Sequence, residues 1–591
     1  MEYQLISPIE ESYSVVERIL INRGIKYEDI PHYLNLIESD VYSLDEINNI
    51  YVYSPDEINN IYLAAQMLVK HMREGKVYLI VDSDADGYLS AAILLNYLHN
   101  IVPSVVETNF VYNFHPGKQH GIDLSLVPSD TTLVAALDSS SNDYEIHQEL
   151  SEKGIDVLVI DHHQAEKESS YACVVNNQLC DYPTKSLSGA GMVYKFCQYM
   201  DKVFNVSYAD NYLDLVSLSL VADMMDQRDF ETAYLIRKGL KSIRNPFMNE
   251  MIEKNRYQLG TSLTPIGIAF YVAPYINAIT RVGQEEEKRT LFEAMLEWKA
   301  YESIPSTKRG CKGQLEQRVT QAVRNCTNVK SRQTRTRDQG LEAIENLIEE
   351  HDLLSKKILI IKLEEFSIDK GLTGLIANEL MSKYQRPVFI LNKCEHEDGS
   401  VTWEGSARGY GKSKLTDLRS FVRDSGYALY AEGHPNAHGL GFTSEALAQF
   451  IEYSETALKD MDFTPSYKVD FIYSAQNLNP NDILAIGGMK PLWGQNVEEA
   501  FVAIEGIKVT ANNIQLMSRD KSPTLKITLP NGVACIKFKS SEEEFQQLFS
   551  ESGCVVINVV GKCELNDFRG LITPQIIIEN YDIISNQKYY F

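Results

Sequence analysis

Val77-Tyr-Leu-Ile-Val-Asp82-Ser-Asp84-Ala-Asp86-Gly87 is the stretch that decides how this chain is read. Val77 to Val81 is a short apolar, β-branched run of the kind that forms a buried parallel strand. Three alternating aspartates and a glycine end it, and Leu89, Ile93, Leu94 and Leu98 then recur at helical spacing. The order is therefore strand, acidic turn, helix. Carboxylates crowded at a strand end repel one another unless a cation neutralises them. In open α/β sheets that edge is also where ligands bind. A solvated acidic turn is the bland reading, but three aspartates at alternate positions after a buried strand favour a hard-metal site.

The same alternation continues outward. Strand-like runs fall at 77–81, 105–114, 131–137, 155–160 and 173–175, and helical runs at 88–98, 143–153, 189–202, 211–222 and 231–241. This pattern implies an α/β unit built on a mainly parallel sheet. Two further strands end in acid, Leu133-Val-Ala-Ala-Leu-Asp138 and Val157-Leu-Val-Ile-Asp161-His162-His163. Parallel strands share one carboxyl edge, so topology gathers Asp82, Asp84, Asp86, Asp138, Asp161, His162 and His163. A mixed oxygen and imidazole set suits Mn²⁺ or Mg²⁺, with Mn²⁺ favoured where histidine ligates. Asp223, ending Leu218-Ser-Leu-Val-Ala, is a further candidate that periodicity alone does not promote.

The bulk properties bound the rest. At 591 residues the chain needs two to four domains. The N-terminus lacks the basic and apolar regions of a signal peptide, and no apolar run approaches the ~20 residues of a membrane helix. Nine cysteines without a Cys-x-x-Cys pair point to reduced thiols in a cytoplasm. A formal net charge of −25 argues against nucleic acid only on average. Lys308, Arg309, Lys312, Arg318, Arg324, Lys330, Arg332, Arg335 and Arg337 face only Glu316 within their segment, a basic groove or a solvated helix face.

Residues 1–52 read as helical and polar, with Ser43–Tyr51 echoed by Ser54–Tyr62. Ser54, Pro55 and Glu57 make the second copy a helix start. From Lys356 a second α/β unit begins, with strands at 358–363 and 388–391, a helix at 372–384, and turns at 405–409 and 433–441. Beyond about 500, short strands and the hairpin signal Asn531-Gly532 suggest a small barrel. Trp493 reads as packing.

The motifs Asp82-x-Asp84-x-Asp86-Gly87, Asp138, Asp161-His162-His163 and Val221-Ala-Asp223 resemble, in order and spacing, those of the DHH phosphoesterase superfamily. Asn176-Asn177, Leu187-Ser-Gly189-Ala-Gly191, Ala273–Arg281, Gly405-Ser406-Ala-Arg408 and Glu432–Gly439 look like RecJ single-strand exonucleases. The last of these is similar to the signature of the associated DHHA1 domain. The resemblance runs from about residue 15 to the end.

It implies a two-metal site of Mn²⁺ or Mg²⁺. Asp84 and Asp86 would each touch a metal and Asp138 would bridge both. His162 and Asp223 would complete one metal, His163 would approach the scissile phosphate, Asp82 would be a ligand or lie just outside, and Asp161 would orient the histidines. Substrate contacts are expected from Lys118, Asn277, Arg281, Ser406, Arg408 and His434, with Arg332, Arg335 and Arg337 tracking a strand's phosphates. Departures from the family pattern are Val81, Ser139-Ser140, Tyr275, Asp369-Lys370, and a missing arginine near 117 that leaves Lys118 to stand in.

The expected organisation is a helical segment 1–52, a DHH domain 53–255, a basic helical connector 256–345, a DHHA1 domain 346–455 and an OB-fold barrel 456–591. The expected activity is 5′-to-3′ hydrolysis of single-stranded DNA to 5′-mononucleotides in recombination and repair. A single-strand-binding protein or helicase would be its companion. The rivals are a DHH phosphodiesterase acting on cyclic dinucleotides or very short oligonucleotides, and a catalytically dead scaffold.

Overall fold

Val77–Val81 (β1) is a strand buried at every residue. It lies in a five-stranded parallel sheet with Phe110–Phe114 (β2), Leu133–Leu137 (β3), Asp156–Asp161 (β4) and Cys173–Asn176 (β5), in the order β2-β1-β3-β4-β5. Register pairs Ile80 with Ala136 and Leu137 with Ile160, so the acidic ends of β1, β3 and β4 adjoin along one edge. One expectation at 105–114 is half corrected. Pro103 sits at the start of a helix, Pro103–Asn109, and only its last turn gives way to β2. Proline pre-sets the helical φ and lacks only a donor that a first turn leaves unused.

The computed structural model describes residues 1–8, 12–36, 53–115, 120–311, 313–396, 398–518, 522–550 and 553–588. The first repeat copy at 43–51, Lys118 and Lys312 lie outside the described residues. Two compact units emerge: residues 23–331 with 490–499, and residues 1–22 with 332–489 and 500–591.

In the first unit the helix Ala85–Ile101 (α1) is buried at every residue from Ala85 to Leu98. It packs against Gly189–Phe204 (α2) and Leu213–Ala222 (α3). A helix apolar all round belongs in a core. The same unit holds Ala273–Val282 (α4) and the buried Trp493.

The second unit carries a five-stranded sheet of Leu359–Leu363 (β6), Val388–Glu395 (β7), Val401–Arg408 (β8), Tyr430–His434 (β9) and Ala437–Thr443 (β10), ordered β9-β10-β8-β7-β6. The expected turns at 405–409 and 433–441 are largely strand. Gly405 sits mid-sheet because a Cβ there would stand 1.8 Å from the Ile390 carbonyl oxygen. Glycine here marks a close strand approach, not a loop. At the far end of the chain seven strands form one sheet. Its edge strands, Phe471–Ser474 and Ile514–Met517, are not paired to each other, so the barrel expected there is open among the described residues. Asn531-Gly532 does turn the chain between Thr524–Thr528 and Ala534–Lys537. The ribbon Gly553–Phe568 with Leu571–Lys588 ends in exposed Phe568, Leu571 and Ile572. A strand not expected from sequence, Glu2–Leu5, pairs in parallel with Ser466–Val469. No helix among the described residues is long and apolar enough to cross a membrane.

Candidate metal centre

The carboxyl edge of the first unit's sheet builds the site. Asp82 leaves β1, and Asp84 caps α1 by accepting from the Gly87 amide at 3.1 Å. Asp86 therefore lies inside the first turn of the helix, not in a free loop. Gly87 is required, since a Cβ would fall 2.5 Å from the Asp82 Cβ. Ser188 caps α2, whose first amides close on Asp86: Gly189 N donates to Oδ2 at 2.7 Å and Ala190 N to Oδ1 at 2.9 Å. Ser219 of α3 donates to the same Oδ1. A helix N-terminus stabilises a carboxylate by its free amides and its dipole.

Asp138, at the end of β3, has φ 65°, and Ser140 and Met224 are also left-handed at 76° and 55°. Non-glycine residues in that region are sparsely populated and gather at functional sites. Gly189 again has to be glycine, because a Cβ would meet the Asp138 Cβ and Oδ1 at 2.5 Å.

Three overlapping donor groups result among the described residues, each with ligand atoms within 4.8 Å: Asp86, His162 and Asp223; Asp82, Asp84 and Asp138; and Asp138, Asp161, His162 and His163. The first two are taken as the donor sets. His162 Nε2 joins the sets, lying 3.2 Å from Asp138 Oδ1, 3.4 Å from Asp223 Oδ2 and 3.7 Å from Asp86 Oδ2. Among the described residues, Asp138 Oδ1, Asp82 Oδ1 and His162 Nε2 are buried without a hydrogen bond. Buried polar atoms are ordinarily bonded, so three orphaned ligand atoms converging here fit a cation. Oxygen donors with one imidazole match Mn²⁺ or Mg²⁺. The Leu187 backbone bonds the His162 ring from its other side, which orients Nε2 inward.

The electrostatics agree. Burial and the Asp86 and Asp84 charges hold the Asp138 carboxyl well above the ordinary range. Burial with the Asp86 and Asp82 charges raises Asp84, and burial with the Asp86 and Asp84 charges pushes Asp223 up to about 8. Burial lowers His162, keeping it the neutral imidazole a metal needs.

Asp161 does not join the cation-facing atoms; its oxygens are spent on the loop that follows. It accepts from His162 N at 2.7 Å, His163 N at 3.2 Å, His163 Nδ1 at 2.8 Å and Ser141 N at 3.2 Å. Burial alone would raise its carboxyl, but the His163 hydrogen bond and charge carry it below the usual range. That bond, against opposing burial, raises His163 to about 9. Asn176 fastens the loop by donating to the His163 carbonyl at 2.9 Å and Ser141 Oγ at 2.8 Å.

The remaining expected residues divide. Asn277 and Arg281 lie on α4, and Asn277 Oδ1 accepts from Ala85 N at 3.2 Å, so it supports the α1 turn. Arg281 Nε is buried without a hydrogen bond, and Arg281 has no ion pair among the described residues. In the other unit, Ser406 and Arg408 share one face of β8. Ser406 Oγ is 2.9 Å from Thr373 Oγ1 of the helix Lys370–Tyr384, and Gly374 leaves room beside the Arg408 guanidinium. Arg408 bonds only the Ala407 carbonyl and has no carboxylate partner among the described residues. His434 is exposed on β9, whereas His438, not singled out from sequence, is the buried histidine of that segment.

The basic segment needs correction. The helix Arg318–Glu350 (α5) begins after a hairpin, and its first arginines are already paired. Arg318 binds Glu293 and Glu302, and Arg324 binds Glu316. Arg332 and Arg335 are exposed, and Arg337 is paired with Asp338 and Glu379.

Sequence reasoning also missed His115 and His120, which flank Asp82. His120 Nδ1 lies 2.6 Å from Asp82 Oδ2. No spacing rule marks them, since they arrive from β2 and the loop after it.

Residues 76–220 match the N-terminal domain of the DHH family. YorK, an SPbeta prophage-derived protein of Bacillus subtilis (strain 168) assigned by name alone as a single-strand DNA-specific exonuclease, is 36% identical over 592 residues. The match covers 100% of this chain and 99% of that one. The single-stranded-DNA-specific exonuclease RecJ of the same bacterium is 23% identical over 531 residues, covering 86% of this chain and 61% of RecJ. Among solved structures, RecJ from Thermus thermophilus in complex with Mn²⁺ shares the fold, with a TM-score of 0.68 and 17% identity, covering 98% of this chain and 79% of that one.

Proposed function

This chain belongs to the RecJ-like family of DHH proteins, and from that premise we propose that it is a metal-dependent exonuclease. It would degrade single-stranded DNA from the 5′ end to 5′-mononucleotides, in the service of DNA recombination and repair. The observation that carries the reading is the pair of donor sets on one sheet edge, with Asp138 Oδ1, Asp82 Oδ1 and His162 Nε2 unbonded.

Asp84, Asp86, Asp138, His162 and Asp223, with Asp82, would hold two Mn²⁺ or Mg²⁺ ions. Bound there, the ions supply an activated water and offset charge on the phosphate oxygens. The protein's own part is positional and electrostatic. Asp161 fixes the His163 ring through Nδ1, leaving Nε2–H to donate to a phosphate oxygen. The α2 amides hold Asp86 so that its carboxylate does not turn away under repulsion from its neighbours. Within the other unit, Ser406 and Arg408 share one face of β8, and Arg408, with no carboxylate partner among the described residues, suits a phosphate of the same strand. Exposed Arg332 and Arg335 are assigned to its backbone.

The test is digestion of 5′- and 3′-labelled oligonucleotides with Mn²⁺, single- and double-stranded. Progressive release of mononucleotides from the 5′ end of single strands alone is expected. Preference for a cyclic or linear dinucleotide over a long strand would overturn the reading.

A further inference from the structure

We infer that His115 is a further ligand of the metal centre, on the side of Asp82 and Asp84. This rests on the metal-dependent reading above and deepens it.

His115 follows β2, the neighbour of β1, and is 3% exposed. Its backbone is pinned: the carbonyl accepts from buried Lys288 Nζ at 2.9 Å. Among the described residues neither ring nitrogen makes a hydrogen bond of good geometry, although the Gly121 backbone lies close enough to act on the ring. Nε2 lies 3.9 Å from Asp82 Oδ1, which is itself buried and unbonded. That gap is too long for a hydrogen bond. It is a span that two donors keep when both face one small cation, each ~2.0–2.2 Å from it. The other Asp82 oxygen is already committed to His120, so Oδ1 is the one turned toward the site.

The assignment also balances the centre. Without His115, one ion has the imidazole of His162 and the other has only carboxylates. With it, the set of Asp82, Asp84 and Asp138 would gain an imidazole on its Asp82 side, as His162 stands with Asp86 and Asp223. An imidazole on both sides favours Mn²⁺ over Mg²⁺ at both positions.

The experiment is metal titration of the full-length metal-free protein by calorimetry, with Mn²⁺ and Mg²⁺ separately, and electron spin-echo spectroscopy of the Mn²⁺ form. Wild type should bind two Mn²⁺. His115→Gln should keep one site unchanged and weaken the other more than the ~10–100-fold expected when only an outer partner of a ligand is lost. Its Mg²⁺ binding should suffer less, and its ¹⁴N modulation should fall. His120→Gln should leave that modulation intact. Melting in chelator checks the fold, and His115→Glu, which restores a donor, should recover the second ion with a preference moved toward Mg²⁺. Two Mn²⁺ at wild-type affinity in His115→Gln, or unchanged ¹⁴N modulation, would overturn the inference and leave the exonuclease reading standing. A wild type that takes up no divalent ion would instead bring down the metal-dependent function itself.

Discussion

Asp138→Asn should make the metal-free protein more stable and the enzyme inert. Asp138 is 1% exposed, its Oδ1 has no hydrogen bond, and the charges of Asp86, Asp84, Asp161 and Asp223 bear on it. Asparagine has the same size and tolerates the left-handed φ of 65°. The backbone bond from Asp138 N to the Ile160 carbonyl is untouched. What the substitution removes is a buried carboxyl whose ionisation its neighbours oppose and whose Oδ1 is unbonded, a burden of ~1–3 kcal/mol. In chelator the melting temperature should therefore rise, by roughly 2 °C per kcal/mol for a body of this size. With Mn²⁺ at a hundred times its dissociation constant, wild type gains ~2.7 kcal/mol and the variant almost nothing. The two melting curves should thus change places between chelator and Mn²⁺. Hydrolysis of a 5′-labelled strand should fall at least ~10³-fold, given the ~10²–10³-fold typical of losing one electrostatic stabiliser and two ions at stake. Activity within tenfold of wild type, or a variant that melts lower in chelator, would refute the reasoning.

Three further outcomes are expected. Asp223 holds its proton up to about 8 and Asp84 and Asp138 are raised by burial and like charge, so metal must displace protons. Apparent Mn²⁺ affinity, measured by calorimetry, should then climb as pH rises toward 8, about tenfold per unit for each proton released. Arg408→Ala should raise KM for 5′-phosphorylated strands and much less for 5′-hydroxyl strands in steady-state assays; equal losses on both would make Arg408 structural. Reversing charge at Arg332, Arg335 and Arg337 should weaken long-strand binding and flatten its salt dependence by ~0.7 log units per lost contact. Arg337 has to leave Asp338 and Glu379 to make such a contact. Titrations at several salt concentrations check this, and dinucleotide turnover should barely move.

Much of the metal centre was legible because parallel topology does the gathering. Once Val77–Val81, Leu133–Leu137 and the strand before His162 are read as buried strands, their acidic ends must meet on one edge. Asp223 needed the family pattern, because a helix end has no such rule. What stayed hidden depends on contacts far apart in sequence. Glu2–Leu5 is a strand only because Ser466–Val469 lies beside it. Gly405 looks like a turn until the Ile390 carbonyl is seen against it. Arg318 and Arg324 read as free cations because Glu293 and Glu302 lie outside the basic run, and because Glu316 folds back across a hairpin. His115 carried no signal, since its meaning lies in facing Asp82 from the end of a strand far away in sequence.

The grip of α2 on Asp86 has a consequence for watching the site at rest. First-turn amides of a helix ordinarily lie open to solvent exchange. Here the Gly189 and Ala190 protons are held by the carboxylate that we assign to the cation. Anything that pulls on Asp86 is therefore felt in the lifetime of two backbone protons. Deuterium uptake at Gly189 and Ala190 becomes a gauge of whether the centre is charged, discharged or mis-loaded, readable with no substrate in the tube.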